Sequence, residues 1–308
     1  MPNTSGRFSA SFPAAGDDAR WSLELDGGLV ISATTSPASP LLERFFAGYD
    51  RAFVLPDERE ELDGFRACLA LNPAVGERTH AELVMVASDA RDGQLLGGAN
   101  FLATRMPAIT GHPPVAVALN YLFVDQAVRG RGLSRRLLQA VARLANRAVA
   151  GGGDGWPAIF IEQNDPLLLS EAESARDTAR SGTDQVERLR IWDRLGARIV
   201  DFPYVQPALS ARQSADDGLA YASVDFPLPA LSPAYLRAHL HSFFGISVLK
   251  GRDPGADPVA GAQLELLQAM ARDGLEIALL PMGGALERLS KGDAGAHGMP
   301  LRKFARMA

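Results

Sequence analysis

A short turn rich in arginine and glycine is the part of the sequence best suited to chemistry. Residues 129–132 are Arg-Gly-Arg-Gly, and two more arginines follow at positions 135 and 136. Glycine tolerates a positive φ and lets a ligand approach the backbone closely. Successive backbone N–H groups in such a turn form a concave nest for anions, and the arginine side chains add positive charge. The turn therefore predicts a site for a polyphosphate.

The turn lies between a predicted strand and a predicted helix. Residues 115–124 form an apolar run interrupted mainly by Asn120, which is typical of a strand buried on both faces. From Leu133 to Ala148, apolar residues recur at spacings of three and four, which predicts an amphipathic helix. The unpaired N–H groups at the start of that helix would extend the anion site.

Two common nucleotide-binding motifs do not fit this turn. A Walker loop requires a Gly-Lys-Ser/Thr sequence after its first glycine, and no such lysine is present. The dinucleotide fingerprint requires a third glycine where this sequence has Arg135. A plainer interpretation stays open at this point: the glycines make a tight connection, and the arginines form a solvated charged face.

The turn and its flanks resemble the acyl-CoA-binding motif of the GCN5-related N-acetyltransferase (GNAT) superfamily. The sequence departs from that motif at Ser134, where Gly or Ala is usual, and at Gln126, where Pro is common. Serine is small enough to keep the close approach, and the resemblance identifies no subfamily. The matching residues are Val124, Arg129, Gly130, Gly132, Leu133, Ser134 and Leu137.

The resemblance implies acetyl-CoA, or another acyl-CoA, as co-substrate, and no metal. The loop amides would hold the pyrophosphate, while the end of the strand would pair with the pantetheine arm beside a next strand that splays away. Asn164 matches a position where the family often has an asparagine near the cofactor; alternatively, Asn164 and Asp165 cap a helix that begins at Pro166. The predicted cofactor-binding residues are Phe123, Val124, Arg129, Gly130, Arg131, Gly132, Leu133, Ser134 and Asn164.

Acyl transfer to an amine requires a base. An alkyl amine with a pKa of about 10.4 must lose a proton before it attacks. Many family members carry a glutamate on the central strand, which here offers only Asn120 and Tyr121. We therefore expect Glu162, at the end of the next strand, to be the base. A strand-end charge in solvent, or a water relay, would be the alternatives.

The family's usual acid is missing. Residues 192–197 resemble its Tyr-x-x-Leu-Gly-Phe motif, but Trp192 stands where the tyrosine commonly protonates the leaving thiolate, and an indole cannot do so. A thiol with a pKa of about 8.5 leaves with little help. Tyr204 is the predicted acid, with Tyr121 as an alternative, and a backbone N–H near Val124 could stabilise the oxyanion.

The order of predicted elements agrees with the resemblance, and the predicted fold class is α/β. It is a GNAT-type mixed, mostly antiparallel central sheet flanked by helices, with a largely helical C-terminal extension. Strands are predicted at 28–34, 80–87, 94–104, 115–124, 157–161, 197–201 and 219–225, the last as an edge or returning strand. Helices are predicted at 41–46, 57–71, 133–148, 166–183 and 186–195.

Three segments are predicted along the chain. Residues 1–20 form a disordered leader, 21–225 the GNAT acyltransferase domain, and 226–308 an extension that packs on the core as part of the substrate pocket or a dimer contact. Within the extension we expect two helices, a segment that is strand or buried helix, and a mobile tail, at 233–244, 256–272, 275–280 and 291–308. His239 and His241 diverge on a helix, so no metal site is predicted.

Composition excludes several classes of partner. The net charge of −5 argues against nucleic acid, and the single cysteine, Cys68, suits a reducing compartment and a buried position. No apolar run approaches the roughly 20 residues of a membrane span, and no signal peptide is recognisable, so we expect a cytoplasmic protein.

Taken together, the sequence predicts an acyl-CoA-dependent N-acyltransferase. It would transfer acetyl from acetyl-CoA to a primary amine of a small molecule, amino acid or peptide by direct attack, with homodimerisation as an option. The alternative is a catalytically inactive acyl-CoA-binding sensor or interaction module, which Trp192 and the missing strand glutamate would favour.

Overall fold

Eleven strands form one sheet in this computed structural model, which describes residues 8–9, 20–53, 59–74, 78–149, 155–210, 213–291 and 297–308. The strands are β1 (Phe8–Ser9), β2 (Arg20–Leu25), β3 (Leu29–Thr34), β4 (His80–Asp89), β5 (Leu95–Arg105), β6 (Val115–Val124), β7 (Ala158–Asn164), β8 (Ala197–Val200), β9 (Leu219–Val224), β10 (Ala230–Leu231) and β11 (Ile277–Pro281). Their spatial order is β1-β2-β3-β4-β5-β6-β7-β9-β8-β11-β10. Only β6 and β7 pair in parallel; the other described pairs are antiparallel.

The described helices cover both faces of the sheet, which confirms the predicted fold class. They are α1 (Pro40–Ala52), α2 (Leu62–Ala70), α3 (Leu133–Val149), α4 (Glu171–Ser181), α5 (Gln185–Arg194), α6 (Pro233–Phe243), α7 (Pro258–Arg272), α8 (Gly283–Ser290) and α9 (Leu301–Ala305). A π-helix at Phe244–Val248 continues α6. The C-terminal region is mostly helical, as predicted, and it also adds β10 and β11 to the same sheet.

Two-sided burial explains the long apolar runs in the central strands. On β4, Leu83 and Met85 pack in a core that includes α3, while Val84 and Val86 pack against α1 and α2 on the opposite face. The helices α6 and α7 cover the other half of that second face. Because each central strand is buried on both sides, its sequence is apolar without alternation.

The gap between β6 and β7 is the feature that positions the site. The two strands pair only at Ala116 with Ala158, Val117 with Ile159 and Ala118 with Phe160, and they diverge beyond that point. The predicted splay is therefore confirmed. A bulge in β6 lies at the same level, because Ala118 pairs with Leu102 of β5 whereas Tyr121 pairs with Asn100. Bulges redirect side chains beside functional sites.

Several predicted boundaries were wrong. The helix expected from Pro166 begins at Glu171 after the Ser170 cap, because the Asp165 carboxylate instead accepts bonds from the backbone N–H groups of Leu167 and Leu301. The strand expected as an edge or returning strand, β9, is not at an edge, because it lies between β7 and β8. The second helix, α2, is shorter than predicted, and residues 54–58 lie outside the described part of the chain.

Both ends of the described chain contribute more structure than predicted. At the end of the tail, Leu301 and Phe304 of α9 are buried in the main core, so residues 301–305 are held by packing. Of the predicted leader, residues 8–9 pair with β2 and most of the remainder lies outside the described residues. Strand β2 was missed altogether. No helix in the described ranges is long and apolar enough to cross a bilayer.

Candidate functional site

A cavity of about 670 Å³ occupies the gap between β6 and β7. Its walls come from the ends of both strands, the Arg-Gly turn, the start of α3, helix α5 and the π-helix after α6. This arrangement brings together residues that are distant in the sequence. Of the predicted cofactor-binding residues, those that line the cavity are Phe123, Val124, Arg129, Gly130, Gly132, Leu133, Ser134 and Asn164. Arg131, exposed between the two glycines, is outside the lining.

The two glycines of the turn have the backbone conformation that the sequence predicts. Gly130 has a φ of 77° and Gly132 a φ of 70°, a region that side chains rarely adopt. A Cβ atom built at either position would meet no atom within 4 Å. The backbone is therefore open to a ligand on this side, as a cradle for a phosphate requires.

Four arginines surround this part of the cavity, which we call the loop side: Arg129 and Arg135 beside the turn, and Arg188 and Arg194 on α5. Arg135 donates to the Arg194 carbonyl at 3.0 Å and so joins the turn to α5. Arg136 instead donates to the Asp26 carbonyl, away from the cavity. The four charges favour an anionic guest.

Glu162 extends from β7 into the opposite part of the cavity. Gln206 Nε2 lies 3.0 Å from each of its carboxylate oxygens, and the Tyr204 hydroxyl donates to one of them. Burial raises the pKa of Glu162 to about 7, although both hydrogen bonds act to lower it. Glu162 is thus a held carboxylate close to half ionisation at neutral pH, and not a solvated strand-end charge.

Tyr204 holds the Glu162 carboxylate through a hydrogen bond. The tyrosine is 5% exposed, and its ring stacks on Tyr221 at a centroid distance of 4.3 Å. Burial holds the pKa of Tyr204 well above its usual range, so its hydroxyl stays neutral and donates to Glu162. Tyr204 is not among the lining residues, so its geometry suits a residue that positions Glu162 better than one that protonates a leaving group.

A second carboxylate, Glu82 on β4, was missed by the sequence reasoning. It is 1% exposed and lines the same cavity. Its Oε1 accepts from Asn100 Nδ2 at 2.6 Å and Asn120 Nδ2 at 3.1 Å, and its Oε2 accepts from Ser247 Oγ at 3.0 Å. Burial raises the pKa of Glu82 to about 7. The available signal was a glutamate inside an otherwise apolar strand.

Four carboxylates line this second part of the cavity, which we call the acidic side: Glu60, Glu82, Glu162 and Asp216. Glu60 forms an ion pair with Lys250 at 2.7 Å, and the negative charge of Asp216 contributes to the raised pKa of Glu162. The remaining negative potential favours a cationic guest.

The structure also locates four other residues that were singled out in the sequence. Trp192 packs in the core between α5 and the sheet, with 7% exposure, and its indole also lines the cavity. Cys68 is buried, as predicted, and burial raises the pKa of its thiol. His239 is buried with its Nε2 atom 2.7 Å from the Tyr221 hydroxyl, whereas His241 is exposed, so the two rings diverge.

Residues 42–152 match the family model described as the acetyltransferase (GNAT) family. The search of curated protein sequences found no match.

Three solved structures illustrate what the chain is similar to. The ribosomal-protein-S18-alanine N-acetyltransferase from Escherichia coli is 14% identical over 64% of this chain and 95% of that chain, with a TM-score of 0.34. NAA60 of Arabidopsis thaliana, solved with acetyl-CoA, is 14% identical over 63% and 97%, with a TM-score of 0.36. The aminoglycoside acetyltransferase meta-AAC0020 from an uncultured soil metagenomic sample, solved with sisomicin, is 15% identical over 51% and 88%, with a TM-score of 0.31.

The family match covers the strands β4 to β6, the Arg-Gly turn and α3, so it includes the turn on the loop side and Glu82 on the acidic side, but not the arginines of α5. It therefore coincides with the residues that carry the resemblance in the sequence. Residues 42–152 of this chain are therefore similar to the acetyltransferase (GNAT) family.

Proposed function

We propose that the protein transfers an acetyl group from acetyl-CoA to a primary amine of a small molecule, amino acid or peptide. One observation carries this proposal: a single cavity joins an open, arginine-lined glycine turn to a held carboxylate with a pKa near neutrality. This arrangement supports a polyphosphate donor and a base for an amine acceptor in the same cavity.

The loop side fits the pyrophosphate of CoA. The backbone at Gly130 and Gly132 is open, and four arginines line the same wall. Beyond Ala118, β6 has no ladder partner on its β7 side among the residues that the structure describes, so Phe123 and Val124 offer a strand edge for the pantetheine arm. When bound, acetyl-CoA supplies the acetyl group in activated form, as a thioester.

Glu162 is the proposed base. With a pKa of about 7, roughly half of the Glu162 carboxyl groups are ionised at neutral pH and can accept a proton from an ammonium group. Gln206 and Tyr204 hold the carboxylate in place through their hydrogen bonds. The neutral amine then attacks the acyl carbon, and the C–S bond breaks as the amide C–N bond forms. The departing sulfur takes up the proton that the attacking nitrogen releases, since Trp192 stands where the resemblance would supply a tyrosine acid.

The C-terminal segment completes the acceptor side in this proposal. Phe243, Ser247 and Val248 line the cavity, and Ser247 donates directly to Glu82. Residues 226–308 therefore act as part of the acceptor pocket of the same catalytic unit as residues 21–225. A pocket built from this segment would differ among proteins that share only the loop and α3.

The alternative function is an acyl-CoA-binding sensor without turnover. It is favoured by Trp192 at the position of the family's acid, and disfavoured by the held carboxylate of Glu162, which a sensor would not require. Mixing the purified protein with acetyl-CoA and a panel of primary amines distinguishes the two. We expect free thiol release matched by acetylated amine in mass spectrometry. Acetyl-CoA binding without thiol release for the whole panel would favour the sensor instead.

A further inference from the structure

We propose that Glu82 binds a second ammonium group of the acceptor, so that the preferred substrates are diamines and not monoamines. This inference rests on the proposed function and assigns an acceptor class to the same cavity. In this arrangement the reacting amine lies near Glu162 and the distal amine near Glu82.

The spacing of the two carboxylates suits a short diamine. Glu82 is level with Phe160, because Glu82 pairs with Leu102, Leu102 with Ala118 and Ala118 with Phe160. Glu162 lies two residues further along β7. The Glu82 carboxylate reaches across β5 to the Asn120 amide on β6. With strand spacings of about 4.8 Å, the two carboxylates are on the order of 10 Å apart, which a few methylene groups between two amines can span.

The hydrogen-bond partners of Glu82 provide no positive charge of their own. Its hydrogen-bond donors are the neutral side chains of Asn100, Asn120 and Ser247, and no lysine or arginine in the described ranges forms an ion pair with it. A buried carboxylate without a counter-charge is unfavourable. A bound ammonium group would supply that charge.

A second observation points to a missing donor. The Oδ1 atom of Asn120 is buried and has no hydrogen-bond partner among the residues that the structure describes, although Asn120 lines the cavity. An ammonium group has three N–H donors, which the carboxylate of Glu82 and this amide oxygen could accept. The orphaned oxygen therefore lies where the distal amine of the acceptor is expected.

The π-helix at Phe244–Val248 has a direct part in this arrangement. Such helices are rare and are frequent at functional sites. This one carries Ser247, which donates to Glu82, and Val248, which lines the cavity. The rings of Phe65, Tyr121 and Phe243 line the same region and can pack on a methylene spacer.

Steady-state kinetics with putrescine and butylamine test the inference, because these amines have the same carbon skeleton and differ in the second amine. We expect wild-type kcat/KM to be about tenfold or more higher for putrescine, as one charge-assisted contact allows. Glu82→Gln should lower that ratio by about tenfold, and the exposed control Glu265→Gln should leave it unchanged. Asp216→Asn measures how far this ratio depends on the overall negative potential of the cavity and not on Glu82.

Several outcomes would overturn the assignment. Equal kcat/KM for the two amines in the wild type would refute diamine selection while leaving the transferase proposal intact. A fall in the ratio that is as large in Asp216→Asn as in Glu82→Gln would assign selection to the overall potential, and not to Glu82.

A binding measurement on the wild-type protein tests the inference even if neither amine is acetylated or the variants do not fold. Calorimetric titration of CoA-loaded wild-type protein should show tighter binding of putrescine than of butylamine. Butylamine binding as tightly as putrescine would refute the inference, whereas absence of acetyl transfer to either amine would count against the proposed function alone.

Discussion

The two sides of the cavity recognise charge by different means. The loop side uses open backbone at Gly130 and Gly132 together with four arginines, and no carboxylate among the described lining residues lies beside the turn. The acidic side uses carboxylates held by neutral donors or, for Glu60, by a lysine. The loop side is sufficient to bind a donor through its polyphosphate group. Discrimination among acceptors requires the more specific contacts of the acidic side.

The two sides also differ in their origin along the chain. The turn and the start of α3 supply most of the loop side from one continuous stretch, residues 128–135. The acidic side is assembled from β4, β7 and the segments around residues 60 and 216, and Ser247 closes it from the C-terminal region. The acidic side therefore depends on the whole fold, and it can vary while the loop side stays the same.

The largest expected effect is a loss of activity when Glu162 on the acidic side is replaced, without a change in donor binding on the loop side. Glu162→Gln removes the proposed base while leaving the turn intact, so kcat/KM for any amine should fall by about a hundredfold to a thousandfold. The dissociation constant for acetyl-CoA should not change. Amine acetylation rates and calorimetry on the same preparation provide both values, with Glu265→Gln as the control. Unchanged turnover in Glu162→Gln would assign the proton to another group.

The second prediction concerns the stability cost of the acidic side. The pKa of Glu82 is about 7 in the folded protein, against an ordinary value of 4.5. The folded state thus binds this proton more tightly, and the resulting stability is present below pH 4.5 and is lost as pH rises through 7. The loss is about 3 kcal/mol for one such group.

Glu82→Gln cannot titrate, so its free energy of unfolding should fall less than that of the wild type between pH 5 and pH 8. Glutamine can still accept from the asparagine amides and donate to Ser247. Urea denaturation at the two pH values provides the comparison, with Glu265→Gln as the exposed control. An identical pH dependence in Glu82→Gln and wild type would show that Glu82 does not titrate in this range.

The smallest predicted effect refines the role of Tyr204. Its hydrogen bond lowers the pKa of Glu162, so Tyr204→Phe should raise that pKa. The acidic limb of the kcat/KM profile should move to higher pH, and activity near pH 7 should fall by about tenfold. Tyr235→Phe is the matched control, since Tyr235 is also buried but donates to the Pro113 carbonyl. A profile that falls in amplitude without shifting would contradict the positioning role.

Much of the loop side could be predicted from the sequence, because its chemistry is local. The bounds of β6 were predicted residue for residue, and α3 begins at Leu133 as expected. Glycine conformation and helix periodicity depend on neighbouring residues, so short stretches of sequence carry them. The family match to residues 42–152 covers this part of the chain.

The acidic side could be predicted only in part, because its partners are far apart in the chain. Glu162 was recognised from its place at a strand end, but Tyr204 and Gln206 lie 42 and 44 residues away from it. Glu82 was missed since Ser247, one of its donors, is 165 residues away. A single apolar strand with one glutamate does not indicate which distant groups will surround that carboxylate.

Two errors at the chain ends have different causes. Trp21, Leu23 and Leu25 alternate with polar residues, a strand pattern that the sequence analysis did not recognise. The tail was expected to be mobile from its glycines and basic residues, yet the Asp165 carboxylate accepts a bond from the Leu301 N–H and ties α9 to the core. That contact joins residues 136 positions apart, which no local pattern predicts.

The central claim is that the open glycine turn holds the CoA donor, and calorimetric titration with acetyl-CoA tests it most directly. Three proteins are compared: wild type, Gly132→Trp and Gly93→Trp. Gly93 also has a positive φ, 73°, and open space beside it, but it lies in the β4–β5 hairpin, so it is a matched control for backbone strain. We predict micromolar binding by wild type and Gly93→Trp, and a loss of about a hundredfold or more in folded Gly132→Trp. Absence of binding to folded wild-type protein, or equal binding by Gly132→Trp, would contradict the account.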